Sequence, residues 1–188
     1  MSDITTVILA AGNSTRFKAS KSKLVYPLCG LPIVSHIFNI AKKISGKNIL
    51  VVCNDKNKEE LKLLLNTTKL VVQKKQKGTA DAIEQVKKYV KSKNILILFG
   101  DTPLVEVKDI RKLVSKFKLS KAKASLIAFK TLKPHGYGRL LLNNNYVQEI
   151  IEQINLKPEQ KKINLCNSAH FYKSNRSQIF KGWLLFTF

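Results

Sequence analysis

The chain has 188 residues, 44% of them hydrophobic, which is enough to build a sizeable core and too many for a disordered segment. Its formal net charge of +22 would favour polyanions. Nearly all of it is lysine, however, spread along the chain in pairs such as Lys42-Lys43, Lys74-Lys75, Lys87-Lys88 and Lys161-Lys162 without interleaved aromatics, so no dedicated nucleic-acid module is expected. No apolar run is long enough to cross a bilayer, and the N-terminus lacks a secretory pattern, so a cytoplasmic protein is expected. Cys29, Cys53 and Cys166 are widely spaced and read as free thiols; His36, His135 and His170 make no zinc pattern.

Val7-Ile8-Leu9 reads as a buried strand, and Ala10, Ala11 and Gly12 follow it with no bulky side chain. Leu24 to Gly30 reads as an irregular connection. Pro32 stands where a helix can start, with Ile33, Ile37, Ile40 and Ile44 at helical spacing and Gly46 as its end. Asn48 to Cys53 is a second strand, Glu59 to Leu65 a helix, and Leu70 to Val72 a third strand. Gly78-Thr79 opens a helix, with Thr79 as its cap and Ala82, Ile83, Val86 and Val90 on its apolar face. Ile95 to Phe99 is a fourth strand ending at Gly100-Asp101, then Ile110, Leu113, Val114 and Phe117 mark a helix, and Ala124 to Phe129 a fifth strand. Strands apolar on both faces and alternating with helices predict a Rossmann-like, mostly parallel sheet with helices on both faces: an α/β fold.

After residue 130 the pattern changes. His135 to Arg139 is a glycine-rich turn. Leu140 to Leu142 and Tyr146 to Ile151 flank an Asn143-Asn144-Asn145 turn and read as a hairpin. A last strand runs from about Asn167 to Tyr172. The tail after Ser174 (Ile179, Phe180, Trp183, Leu184, Leu185, Phe186, Phe188) is apolar and is expected to be poorly anchored.

In a sheet of this kind ligands bind outside the carboxyl ends of the strands. Three segments end strands in that way: Ala10 to Arg16, Gln73 to Thr79, and Gly100 to Pro103. Small residues after the first strand let backbone N–H groups close on an anion. Arg16 adds a planar fork and Lys23 a mobile point charge, so a nucleoside triphosphate is a fitting ligand; a plain α/β connection is the alternative. The loop is neither a Walker nor a Rossmann fingerprint. Asp101 is a hard carboxylate suited to magnesium, or else a turn residue before Pro103. Gln73 carries an amide that can both donate and accept at a pyrimidine edge, and Gly78 lets the backbone approach the ring; a surface loop is the alternative.

Taken together, LAAGNSTRF with Lys23, then Gln73 to Ala80, then Phe99-Gly100-Asp101-Thr102-Pro103-Leu104, then Gly136-Tyr137-Gly138-Arg139 resemble the sugar-phosphate nucleotidyltransferases. Within them, the chain is similar to the uridylyltransferase domains of the bifunctional uridyltransferase/acetyltransferases. That resemblance implies uridylyl transfer from UTP to N-acetylglucosamine 1-phosphate, a step of cell-envelope precursor synthesis, with Mg2+ as cofactor. It implies that Leu9, Ala10, Ala11, Gly12, Phe99 and Gly100 contact the nucleotide, and that Arg16 and Lys23 hold the triphosphate and carry catalysis. Gln73, Gly78 and Thr79 would recognise uracil, Asp101 would bind nucleotide-bound magnesium, and Gly138, Glu152 and Asn167 would bind the acetylated sugar.

The sequence departs from the family at Ala169, near a place where the family has glycine. The family's second metal ligand, an asparagine, and its C-terminal left-handed β-helix with the acetyltransferase and trimerising regions fall beyond residue 188. Residues 1–188 therefore read as an incomplete nucleotidyltransferase domain, with homo-oligomerisation left open. A nucleotide-binding remnant without turnover, or a transferase acting on another acceptor, is the alternative.

Overall fold

The computed structural model describes residues 3–13, 17, 21–66, 68–75, 78–120, 122–144 and 146–174, and the backbone of Leu184–Thr187. The chain divides into two compact units, Met1–Ile110 and Arg111–Phe188. Among the described residues no helix is long and apolar enough to cross a membrane.

The first unit alternates strands and helices. Strand β1 (Ile4–Leu9) leads through a 3-10 turn (Lys23–Val25) to a small antiparallel ladder of β2 (Pro27–Leu28) and β3 (Leu31–Pro32). The connection expected to be irregular is thus closed by a two-residue turn, in which Cys29 and Gly30 both take positive φ. Helix α1 (Ile33–Ser45) follows directly on Pro32 and ends at Gly46, whose φ of 59° and N–H to the Lys42 carbonyl terminate it. Its buried face is Val34, Ile37, Ile40 and Ala41, one residue round from the face that the isoleucine spacing predicts. Strand β4 (Ile49–Cys53), α2 (Lys58–Leu64), β5 (Lys69–Val72), α3 (Thr79–Val86), β6 (Asn94–Phe99) and α4 (Val107–Leu119) complete the series, the last carrying the chain onward into the second unit.

Within this unit the strand order is β5-β4-β1-β6 and every pairing is parallel. All five residues of β4 are buried, as are the four central residues of β1 and of β6, so both faces of the sheet are covered. The register brings the strand ends level: Leu9 lies opposite both Val52 and Phe99, and Cys53 opposite Val72. Ala10, Asn54, Gln73 and Gly100 therefore leave the sheet along one edge. Burial pushes the Cys53 thiol above its ordinary value, and the three cysteines are free, as the sequence predicts.

The second unit is built mainly of antiparallel pairs. Strands β7 (Ala124–Lys130), β8 (Arg139–Asn143), β9 (Tyr146–Ile151) and β10 (Leu165–Ser174) surround a core of Leu126, Leu140, Val147 and Leu165. β8 and β9 form the expected hairpin, with Asn144 at a φ of 47°. β10 runs antiparallel to β7 and shifts register between Asn167 and Phe171, where Ala169 takes a φ of 66°. A strand β11 (Leu184–Thr187) pairs in parallel with β7 and antiparallel with β9. For Leu184–Thr187 that corrects the expectation of a poorly anchored tail: the side of β7 away from β10 offers backbone partners whatever the side chains are. Ile179, Phe180, Trp183 and Phe188 lie outside the described residues.

Candidate functional site

Along the edge where the four parallel strands end lies a cavity of about 310 Å³. Leu9 to Gly12 form one wall, Phe99 and Asp101 another, and Gln73, Gly78, Thr79 and Ala82 a third, with Lys23 and Leu24 reaching in from the 3-10 turn. Apart from Arg16 and Gly100, every residue that the resemblance assigns to the nucleotide lines this cavity. Arg16 lies outside the described residues, as do Gln76 and Lys77. Gly100 stands behind the wall: a Cβ there would meet the Leu9 carbonyl at 3.2 Å, so a bare backbone lets β1 and β6 close up at their ends.

The loops continue the sheet for one more bond each. Ala10 N–H donates to the Val52 carbonyl at 2.8 Å, Gln73 N–H to Cys53 at 2.8 Å, and Gly100 N–H to Leu9 at 2.9 Å. The first loop is also gripped from below. Asn57 Nδ2 donates to the Ala10 carbonyl at 2.8 Å and Asn54 Nδ2 to the Ala11 carbonyl at 2.9 Å. Both asparagines are buried. They satisfy the carbonyls of Ala10 and Ala11 and so fix the loop backbone beside the cavity. Sequence reasoning missed both. The available signal was a polar Asn-Asp-Lys-Asn cluster directly after a fully apolar strand, at the sheet edge where ligands bind.

Lys23 Nζ lies 2.8 Å from Asp101 Oδ2, so the two charges expected at the phosphates meet in the cavity. The turn carrying Lys23 is held by Ser22, whose Oγ accepts from Leu24 N–H and whose N–H donates to Glu60. Thr102 Oγ1 donates to the Phe99 carbonyl at 2.8 Å and fixes the turn after β6. Among the described residues no group of three His, Cys, Asp or Glu side chains could cage a metal. A single exposed carboxylate nevertheless suits magnesium, which keeps waters and takes phosphate oxygens beside one or two protein ligands.

Gln73 is buried, and its Nε2 donates to the Gly78 carbonyl at 3.2 Å and to Asp81 Oδ2 at 2.7 Å. Gly78 takes a φ of 95°, which requires glycine, and occupies the N-cap position of α3. Thr79 is the first helical residue and not the cap, correcting the reading of its role: glycine at the N-cap brings no side-chain cap to the first-turn N–H groups.

The second unit holds its own cluster. Asn167 N–H donates to the Gly138 carbonyl at 3.0 Å, and a Cβ on Gly138 would lie 3.5 Å from both Glu152 carboxylate oxygens. Gly138, Glu152 and Asn167, far apart in sequence, thus stand together. Buried Arg139 clamps their turn, donating to the carbonyls of Ile163 and Tyr137 and to Gln153 Oε1. Asn167 Oδ1 accepts from Ala169 N–H at 2.8 Å, within the bulge.

Residues 6–161 match the model of the MobA-like NTP transferase domain. The chain belongs to that family. Members of the curated set that resemble this NTP transferase chain include the "Bifunctional protein GlmU" of Campylobacter fetus subsp. fetus, 39% identical over 91% of this chain. Others are those of Buchnera aphidicola subsp. Schizaphis graminum, 38% identical over 97%, and Bacillus subtilis, 29% identical over 91%. The chain spans only 38–39% of the length of these relatives. The fold is shared with a putative glucose-1-phosphate thymidylyltransferase from Bacillus anthracis (TM-score 0.82, 18% identity, 98% of this chain and 86% of that one). It is also shared with a CMP:2-keto-3-deoxy-manno-octonic acid synthetase complexed with CTP (TM-score 0.69, 15% identity, 92% of this chain and 74% of that one). The chain is therefore a nucleotidyltransferase by family, and the expected fold class is the observed one.

Proposed function

We propose that this NTP transferase domain moves the uridylyl group of UTP onto N-acetylglucosamine 1-phosphate, giving UDP-N-acetylglucosamine and pyrophosphate, in the cytoplasm. The observation that carries the reading is the cavity itself. It gathers a small-residue loop, a lysine–aspartate pair and a glutamine beside a helix start from separate parts of the chain. The likeness to the GlmU proteins supports the choice of uridylyl, and the Gly138–Glu152–Asn167 cluster supports a sugar acceptor.

In the reaction a phosphate oxygen of the sugar phosphate attacks the α-phosphorus of UTP. A P–O bond forms there as the bond to the bridging oxygen breaks, and pyrophosphate leaves with that electron pair. The nucleophile is already ionised and needs no general base. The protein's work is to position and to neutralise charge. The small residues from Ala10 to Gly12 let the loop backbone come close to the phosphates, and Lys23 offsets the growing charge on the leaving group, with Arg16 proposed beside it. Asp101 would hold magnesium, whose charge would add to that neutralisation. Leu9 and Phe99 shield the base end from water, and Gln73 with the start of α3 reads its edge.

The test is pyrophosphate release by the purified chain with UTP, magnesium and N-acetylglucosamine 1-phosphate. Release that requires all three supports the proposal. Equal release with glucose 1-phosphate would overturn the acceptor, and equal release with CTP would overturn the donor.

A further inference from the structure

The amide of Gln73 is built to face one way. Its Nε2 has two neighbours, the Gly78 carbonyl at 3.2 Å and the Asp81 carboxylate at 2.7 Å, and both are acceptors only. A flipped amide would set its oxygen against two oxygens, so the nitrogen must lie on that side. The other end, Oε1, receives no hydrogen bond from any described residue and is the end left for a ligand in the cavity that Gln73 lines. Asp81 sits in the first turn of α3, and its second oxygen takes a longer contact from Gln85 Nε2 at 3.4 Å, one helical turn on. A carboxylate there is braced from both sides and accepts only.

We infer that Asp81 is a positioning residue for base selection: by holding Gln73 Nε2 it commits Gln73 Oε1 to accept from the ring N–H of a uracil-type base. Such an edge has an N–H between two carbonyls. Oε1 can accept from the first, and the open N–H groups at the start of α3 can donate to one of the second. Cytosine carries a bare ring nitrogen at the same place, which would meet Oε1 lone pair to lone pair. Discrimination between the two pyrimidines thus depends on a residue that need not touch the base. An acceptor left facing an acceptor in a closed site is the kind of mismatch by which polar sites reject analogues.

The inference rests on the nucleotide reading of the cavity, and its test separates the two. Dissociation constants of UTP and CTP are measured by calorimetry for the whole chain, for Asp81→Ala and for Asp81→Asn. The side-chain amide signals of Gln73 are followed by NMR in nucleotide-free protein. In Asp81→Ala the preference for UTP over CTP should fall about tenfold, the value of one misdirected hydrogen bond, and the Gln73 signals should move toward those of a free amide. Asp81→Asn, whose Oδ1 still accepts from Nε2, should retain the preference. Equal weakening of both nucleotides in Asp81→Ala would show a merely structural residue and overturn the inference, as would unmoved Gln73 signals or a parent chain without preference for UTP. A chain that prefers UTP through Asp81 yet releases no pyrophosphate would sink the proposed activity and uphold this inference.

Discussion

Asn54 and Asn57 hold each other reciprocally: each backbone N–H donates to the other's Oδ1, at 3.0 and 2.9 Å. That exchange fixes both amides and leaves both Nδ2 groups for the loop after β1. The loop's shape is thus set by the segment that follows a neighbouring strand, and each asparagine spends its side chain wholly on backbone groups.

Replacing Asn57 with alanine should therefore cost more than an exposed polar change. It strands the Ala10 carbonyl and the Asn54 N–H in a buried setting, at about 1–3 kcal/mol for each unsatisfied group. Urea unfolding should show a lowered midpoint with an unchanged slope. UTP should also bind more weakly than the stability loss alone explains, since the cradle relaxes.

Asp101→Ala should abolish magnesium-dependent turnover and leave metal-free UTP binding in place. The motive is a carboxylate at the end of β6, in the cavity and 2.8 Å from Lys23. The check is pyrophosphate release across a magnesium titration beside UTP binding in EDTA. Unchanged rates would remove Asp101 from the metal site.

Lys23→Ala should weaken UTP more than UMP, because an ammonium paired with Asp101 would lie among the outer phosphates. A charge-assisted contact is worth roughly 1.5–3 kcal/mol, and the low end is expected for a side chain that is 33% exposed. Binding of the two nucleotides at two salt concentrations decides it: equal losses would place Lys23 away from those phosphates.

Gly138→Ala should raise KM for the sugar phosphate several-fold and leave UTP affinity unchanged. The added methyl would stand 3.4 Å from Ile150 and 3.5 Å from the Glu152 carboxylate, in van der Waals contact, and so would set an apolar group beside the carboxylate proposed to bind the acceptor. Steady-state kinetics with each substrate varied in turn gives the answer.

The strands of the first unit were legible because burial on both faces leaves an unbroken apolar run, as in Ile49–Cys53. The hairpin was legible because asparagine tolerates the positive φ that Asn144 adopts. Strand β11 was not, because an apolar tail says nothing of which sheet edge receives it. Lys23 and Asp101 could each be named, but a pairing across 78 positions of sequence could not. The asparagine pair and the Gln73–Asp81 contact were hidden for another reason. Both are polar groups near loops, where composition alone reads as turn chemistry, and only packing reveals what they hold.

The backbone bonds that carry the sheet one residue into each loop, at Ala10, Gln73 and Gly100, bear on how fast a nucleotide is captured. At those three residues the floor is laced to its strands before a ligand arrives, so little ordering entropy is spent there on arrival. Encounter should then be a single kinetic phase whose rate climbs in direct proportion to nucleotide concentration, without the plateau that marks a preceding conformational step. Stopped-flow mixing with a fluorescent UTP analogue would display that straight line, and lifetimes of the complex, more than arrival rates, would separate good donors from poor ones.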